Sequence, residues 1–240
     1  MISVLVVAHN EEAHIAACLD SLMRQTLRPE EILVIVHNST DATADIASKY
    51  LVRVIEYTGP AGSIYARMKG FESVAGDIVA CIDGDAEASP GWLHNIVLPL
   101  NRPTVSLVGG PIFWKNTPFM QILSLWIFFG YYPLTRLLKP EAFVDVWGAN
   151  FALRIRDYRA VGGLSGLESV RDALGFEETY WPDDLYLTLR LRTQGSVAIA
   201  HRATVSVTGK ERGNAHAFML SARNRKRAQM IIRYMRKGSL

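Results

Sequence analysis

Cysteine is scarce in this sequence: Cys18 and Cys81 are the only two in 240 residues. Two thiols cannot build a disulfide framework, and no cysteine-histidine cluster with structural-zinc spacing accompanies them, so a reducing, cytoplasmic setting is expected. Glycine is missing where a phosphate loop would need it. The segment after the first apolar run, Val7-Ala8-His9-Asn10-Glu11-Glu12, fits neither a P-loop nor a dinucleotide fingerprint, which counts against kinases and dehydrogenases. Met1 to Ala8 lacks a basic lead-in and a small-residue cleavage site, and reads as a strand rather than a leader peptide. Repeats and low-complexity linkers are absent too, and 49% hydrophobic residues can fill the core of one large domain.

What is present is an alternation. Short β-branched runs at Ile2 to Val7, Ile32 to Val36, Val52 to Ile55 and Ile78 to Ile82 are separated by stretches of helical spacing such as Ile15, Leu19, Leu22 and Met23. This βαβ rhythm predicts an α/β fold, a mainly parallel sheet with helices on both faces. Asn10 and Ser39-Thr40-Asp41 stand where caps of the first two helices are expected. In open parallel sheets ligands gather at the carboxyl ends of the strands, so the residues there are the ones to read for chemistry.

The net charge of +3 hides an asymmetry: residues 201–240 hold ten Lys and Arg against one Glu, a charge of +9, and residues 1–200 carry −6. Helical spacing over Asn214 to Lys237 puts Arg223, Lys226, Arg227, Arg233 and Lys237 on one face, with Ile231, Ile232 and Met235 broadly opposite. A basic helix over 211–240 is therefore expected to follow a domain over 1–210, either as the solvated face of a docked helix or as a surface for anionic lipid, nucleic acid or a diphosphate. Residues 119–138 form a second unusual stretch, strongly apolar and aromatic. A bilayer span needs about 20 predominantly apolar residues, whereas Gln121, Ser124, Gly130, Pro133 and Arg136 interrupt this one. It reads as a buried helix, an interfacial or acceptor-binding element, or, least favoured, a membrane span.

Two acidic sites carry the chemistry. Asp83-Gly84-Asp85 follows the fourth apolar run. Close like charges raise each other's pKa unless a cation lies between them, and a hard divalent ion held by one or two carboxylates plus substrate phosphates resolves that cost; a plain Asp-Gly turn is the competing reading. Asp183-Asp184 follows Pro182 and opens a Leu-rich helical stretch. There the acids either compensate a helix dipole or supply a general base aimed at a hydroxyl. His9 and His37, at strand ends, read as nucleotide contacts or turn caps. His201, after Val197 to Ala200, reads as a diphosphate or metal contact, or as a packed or surface histidine.

Taken in order, Val6 to Glu12, Val36-His37-Asn38-Ser39-Thr40-Asp41, Gly62 to Gly70, Gly76-Asp77-Ile78 leading into Asp83-Gly84-Asp85, Trp147-Gly148-Ala149-Asn150-Phe151 and Asp183-Asp184 resemble the inverting family 2 glycosyltransferases of the GT-A fold. The likeness runs over roughly residues 2 to 200. It implies a nucleotide-binding half over 1–110 and an acceptor half over 111–210. It also implies that Asp85 holds a Mn²⁺ or Mg²⁺ bridging the donor diphosphate, with Asp83 as a metal or ribose contact and Asp184 as the catalytic base. Ala8, His9 and Glu12 align with the segment that touches the nucleotide, and Arg67 with an arginine near the donor. His37 stands where the family commonly has an aspartate reading the nucleobase. That departure leaves the base open, a UDP-sugar first and a GDP-sugar second. The Gln-x-x-Arg-Trp sequence of processive synthases is missing from Ser221 to Lys226. A lipid-linked or polymeric glycan is the favoured acceptor, with an anionic membrane surface as partner, peripheral on the inner membrane face; nucleic-acid and protein acceptors stay open. The competing functions are a metal-dependent nucleotidyltransferase and an inactive nucleotide-sugar-binding, membrane-docking module.

Overall fold

The computed structural model describes residues 1–115, 148–176, 183–208 and 230–235, with isolated positions between 122 and 146. Its first strand, β1 (Ile2–Ala8), sends Val4, Val6 and Ala8 to one face of a sheet and Leu5 and Val7 to the other, and all five are buried. A strand buried on both faces is what an uninterrupted apolar run encodes, because side chains alternate and each face meets a helical layer. The same holds for β2 (Glu31–His37) and β4 (Ile78–Asp83), while β3 (Arg53–Tyr57) is only half-buried at the sheet edge. These four strands lie within one or two residues of the expected runs.

On the first face pack α1 (Ile15–Met23), α2 (Thr43–Ala47) and α4 (Trp92–Val97). On the second pack α3 (Ser63–Ser73), α5 (Ile155–Ala160), α6 (Leu167–Ala173) and α7 (Asp183–Leu191). The sheet is completed by β6 (Val105–Gly109), β8 (Asn150–Arg154) and β9 (Ser196–Ile199), in the order β3-β2-β1-β4-β8-β6-β9. β8 runs antiparallel to both its neighbours, and every other pairing is parallel. A small second sheet joins β5 (Ala86–Ala88), β10 (Val205–Val207) and β7 (Ile112–Trp114) just beyond the carboxyl end of β4.

One buried amide ties these parts together. Asn150, fully buried at the start of β8, accepts from Trp92 Nε1 at 2.8 Å and donates to the carbonyls of Pro111 and Ala203 at 2.9 and 2.8 Å. Asn150→Ala would leave the Ala203 carbonyl and an indole N–H unpaired in the interior, while the Pro111 carbonyl keeps the Val205 N–H at 3.1 Å. We expect it to lower unfolding stability by about 3 kcal/mol, at a cost of roughly 1 to 3 kcal/mol for each unsatisfied group, read by chemical denaturation.

The helix caps differ from expectation. α1 begins at Ile15, and Asn10 does not cap it; Asn10 sits in the left-handed region at φ 52°, and its side-chain oxygen accepts from the Thr40 backbone N–H. Short amides tolerate that conformation, so Asn10 ties two loops where a cap was expected. None of Ser39, Thr40 and Asp41 is the cap of α2: that position is Ala42, which makes no side-chain cap bond, and Asp41 just before it takes the Thr43 N–H at 3.0 Å. Most of 119–138 and of the basic helix lies outside the described residues, as do Trp147, Trp181 and His216. Residues 230–235 are helical with Ile231 fully buried, and Ile122, Leu125, Trp126 and Leu134 are exposed. Among the described residues no helix is long and apolar enough to cross a membrane.

Candidate active site

The parallel register brings the carboxyl ends of β1, β2, β3 and β4 to one edge: Val7 pairs with Asp83, Ala8 with Val36, and His37 with Tyr57. Gly84 lets the acidic turn cross that edge closely. Its N–H donates to Val7 O at 2.8 Å, and a side chain there would meet Ala8 Cβ at 2.9 Å. Asp83 and Asp85 flank this glycine, whose backbone is pressed onto the end of β1.

Behind the acids stands Arg67 of α3, only 5% exposed. Its Nη2 donates to Asp83 Oδ1 at 3.1 Å, and its Nη1 pairs with Asp183 Oδ2. Asp183 is 6% exposed, so its charge is spent on the guanidinium rather than offered to solvent. Gly148 closes the third side of Arg67, since a Cβ at that position would lie 2.6 Å from Nη2.

Asp184, the next residue, lies in the first turn of α7 and remains partly exposed. One carboxylate oxygen accepts from Gly148 N–H at 3.3 Å and the other from Leu185 N–H at 2.7 Å, which fixes its orientation. Burial and the neighbouring Asp183 charge raise its pKa to about 6, against the lowering effect of Arg67 and the two backbone N–H groups. Such a carboxylate is ionised at neutral pH yet more basic than an ordinary aspartate. Arg67, Asp183, Asp184, Phe151, Leu164 and Leu187 line a narrow crevice with no room for a water molecule.

His37 is 4% exposed and stacks on Tyr57 with ring centroids 5.4 Å apart. Burial first and His9 second lower its pKa, so the ring is neutral; its Nε2 is buried without a hydrogen-bond partner among the described residues. His9 Nδ1 lies 2.8 Å from the His37 carbonyl oxygen. Asn38, at φ 50°, bonds both the N–H and the carbonyl of Gly59 through its side chain. Glu12 takes the Ala42 N–H on its carboxylate and gives its own N–H to Asp41, a brace between the loops after β1 and β2.

Thus Ala8, His9, Glu12, His37, Asp83 and Asp85 gather along one sheet edge, and Arg67 joins Asp83 to the Asp183-Asp184 pair. His201 lies exposed beyond β9 and does not complete a three-donor group with Asp83 and Asp85; among the described residues no three His, Cys, Asp or Glu side chains form one. Two carboxylates of hard oxygen character still suit a divalent ion that takes its other ligands from water and phosphate. Sequence reasoning missed the roles of Asp183, Gly148 and Tyr57. For Tyr57 no local signal exists, because its partner is met only through strand pairing.

Against this geometry, the family model for glycosyl transferase family 2 matches residues 3–162. The chain belongs to that family. Its curated relatives include the glycosyltransferase AglE of Haloferax volcanii, 31% identical over 118 residues, covering 46% of this chain and 39% of AglE. The glycosyltransferase GlyA of Streptococcus pneumoniae is 34% identical over 173 residues, covering 64% of this chain and 25% of GlyA. This family 2 chain spans 29% to 39% of the length of the first curated relatives it matches. Its GT-A fold is shared with solved structures. The mannosyltransferase PcManGT of Pyrobaculum calidifontis, in complex with GDP-Man and Mn²⁺, superposes with a TM-score of 0.65 at 19% identity, covering 88% of this chain and 58% of that one. Glucosyl-3-phosphoglycerate synthase of Mycobacterium tuberculosis, in complex with Mn²⁺, UDP-glucose and phosphoglyceric acid, gives 0.60 at 22% identity, covering 88% and 72%.

Proposed function

We propose that this chain is a metal-dependent inverting glycosyltransferase that moves a hexose-type sugar from a nucleotide-diphospho-sugar to an acceptor hydroxyl. The observation that carries this reading is the single network in which the Asp83-Asp85 end of β4 is joined by Arg67 to Asp183-Asp184 at the start of α7. Transfer needs a nucleophilic hydroxyl and a stabilised diphosphate leaving group at the same time, and one acid pair suits each need. Asp85 and Asp83 would hold Mn²⁺ or Mg²⁺, which supplies Lewis-acid neutralisation of the departing diphosphate. Asp184 would take the hydroxyl proton, and attack from the face opposite the diphosphate inverts the anomeric centre.

Ala8, His9 and Glu12 would border the nucleotide. His37, 4% exposed with Nε2 buried, would back that border rather than touch the base, and uridine stays the first donor choice with guanosine the second. The +9 charge of residues 201–240 and the exposed Ile122, Leu125 and Trp126 favour a lipid-linked or membrane-proximal glycan acceptor.

The deciding experiment incubates the protein with Mn²⁺ and a panel of nucleotide sugars and identifies the released nucleotide. Nucleoside diphosphate supports sugar transfer; release of sugar 1-phosphate, or of pyrophosphate when a nucleoside triphosphate and a sugar 1-phosphate are supplied instead, would assign a nucleotidyltransferase, and no turnover would leave a binding module. With the preferred donor, turnover is expected to rise as pH passes through about 6 and to level off above it, because Asp184 acts only when ionised. A rate flat between pH 5 and 8, on the order of the window in which such a base titrates, would remove Asp184 from the rate-limiting step.

A further inference from the structure

We propose that Arg67 is a positioning residue that clamps the base-bearing turn of α7 to the donor-side acid Asp83, touching neither donor nor acceptor itself. This rests on the reading of Asp184 as the base. The alternative is the direct donor contact that the family resemblance implies.

The geometry favours the clamp on four counts. Arg67 is 5% exposed, so little of it can meet a ligand. Both terminal nitrogens are committed, one to Asp83 and the other to Asp183. Gly148 lies so close over the guanidinium that no side chain fits between them, and the N–H of that same glycine donates to Asp184. The third nitrogen, Nε, is buried without a hydrogen-bond partner among the described residues. Burying a guanidinium is expensive, and two carboxylates from different elements, one on each terminal nitrogen, are the compensation that makes it tolerable.

The planar fork matters as much as the charge. Asp83 and Asp183 are 100 positions apart in sequence and belong to β4 and α7; a rigid two-pronged donor sets their separation, which a point charge cannot do. Asp183 is adjacent to Asp184, so holding the first fixes where the second points. Gly70, one turn further along α3, permits this placement: a Cβ there would overlap the Leu5 side chain at 2.4 Å, so α3 lies close on β1 and brings Arg67 to the strand ends. The charged groups facing Asp184 are Asp183 on its own helix and Arg67 from α3, with Asp83 of β4 reached through Arg67.

The test compares R67K and D183N in the full chain, measuring kcat, donor KM, calorimetric binding of nucleoside diphosphate with Mn²⁺, and the pH dependence of kcat. An ammonium cannot stay on both acids, so R67K is expected to lose about 100-fold in kcat, the scale on which a slightly misplaced group costs turnover, with nucleotide affinity within about threefold. Its acidic limb should move to higher pH, because the Asp183 charge is left less compensated beside Asp184. D183N should also lose kcat, but its acidic limb should move the opposite way, since the repelling neighbour is gone and Arg67 remains. The double variant should be no worse than the poorer single one, as expected for residues acting through one another. A tenfold or greater weakening of nucleotide binding in R67K, losses that multiply in the double variant, or acidic limbs that do not separate would each overturn the clamp. If R67K loses its near-ultraviolet dichroism, D183N carries the test alone, and an unmoved limb overturns it. Should the wild-type protein transfer no sugar at all, the functional reading fails by itself. The clamp is then judged by a carboxyl-carbon NMR titration of Asp184, which must shift in the same two directions.

Discussion

Asp184→Asn is expected to leave a protein that folds and binds nucleoside diphosphate with Mn²⁺, yet transfers sugar about 10³-fold more slowly, the middle of the range for loss of a positioned general base. The substitution keeps the size of the side chain and one of its two acceptor positions. The Leu185 N–H, at 2.7 Å, is the nearer donor and the one an amide oxygen would retain, at the expense of the longer bond from Gly148. What is lost is the lone pair that receives the acceptor proton. Stability should not fall with activity. Asp184 holds its proton to about pH 6 in the native state and only to the ordinary carboxylate range when unfolded. The native state therefore binds the extra proton across that window, and the site's contribution to stability declines as pH rises through it. The amide has no such dependence and relieves the repulsion with Asp183, so the melting temperature at neutral pH should be equal or higher. Measuring Tm and kcat together at pH 7.5, about one and a half units above the titration, separates this outcome from simple damage. Turnover near the wild-type level would sink the assignment.

Asp85→Ala is expected to abolish metal-dependent nucleotide binding and to reduce transfer by about 10³-fold or more, since divalent-ion stabilisation of a leaving group is worth several kcal/mol. Asp85 is a cleaner probe than Asp83. Removing Asp83 also takes away one of the two acids that compensate Arg67, and a buried guanidinium left half-paired would disturb α7 along with the donor site. Calorimetry with nucleoside diphosphate, with and without Mn²⁺, is the measurement. Wild-type protein should show a large Mn²⁺ enhancement and the variant almost none. An enhancement unchanged in Asp85→Ala would place the ion elsewhere and end the two-carboxylate reading.

The parallel half of the sheet was legible because strands buried on both faces are written as unbroken apolar runs, and the acids could be placed because an Asp-Gly-Asp turn directly follows one of those runs. β8 was not legible as an antiparallel insertion: Asn150 to Arg154 is as apolar as its neighbours at its centre, and strand direction is decided by connectivity across the sheet. The caps failed for a related reason. Asn10 has the right chemistry for a helix start, but its side chain found a partner in the neighbouring loop at Thr40. Arg67 was recognised as belonging to the site, whereas its partner Asp183 was read only as a dipole-compensating or basic acid. The link between them spans 116 positions and exists only after the helices are docked.

The inserted strand has a consequence for how the protein is made. β4 hydrogen-bonds β1 on one side and β8 on the other, so a chain emerging from the ribosome has its β4 edge unpaired until residue 154 has been synthesised. During that interval a row of unsatisfied amides and carbonyls flanked by Val79, Ala80 and Cys81 is open to pairing with another chain. Nascent-chain shielding over that stretch would bear directly on the yield of folded protein.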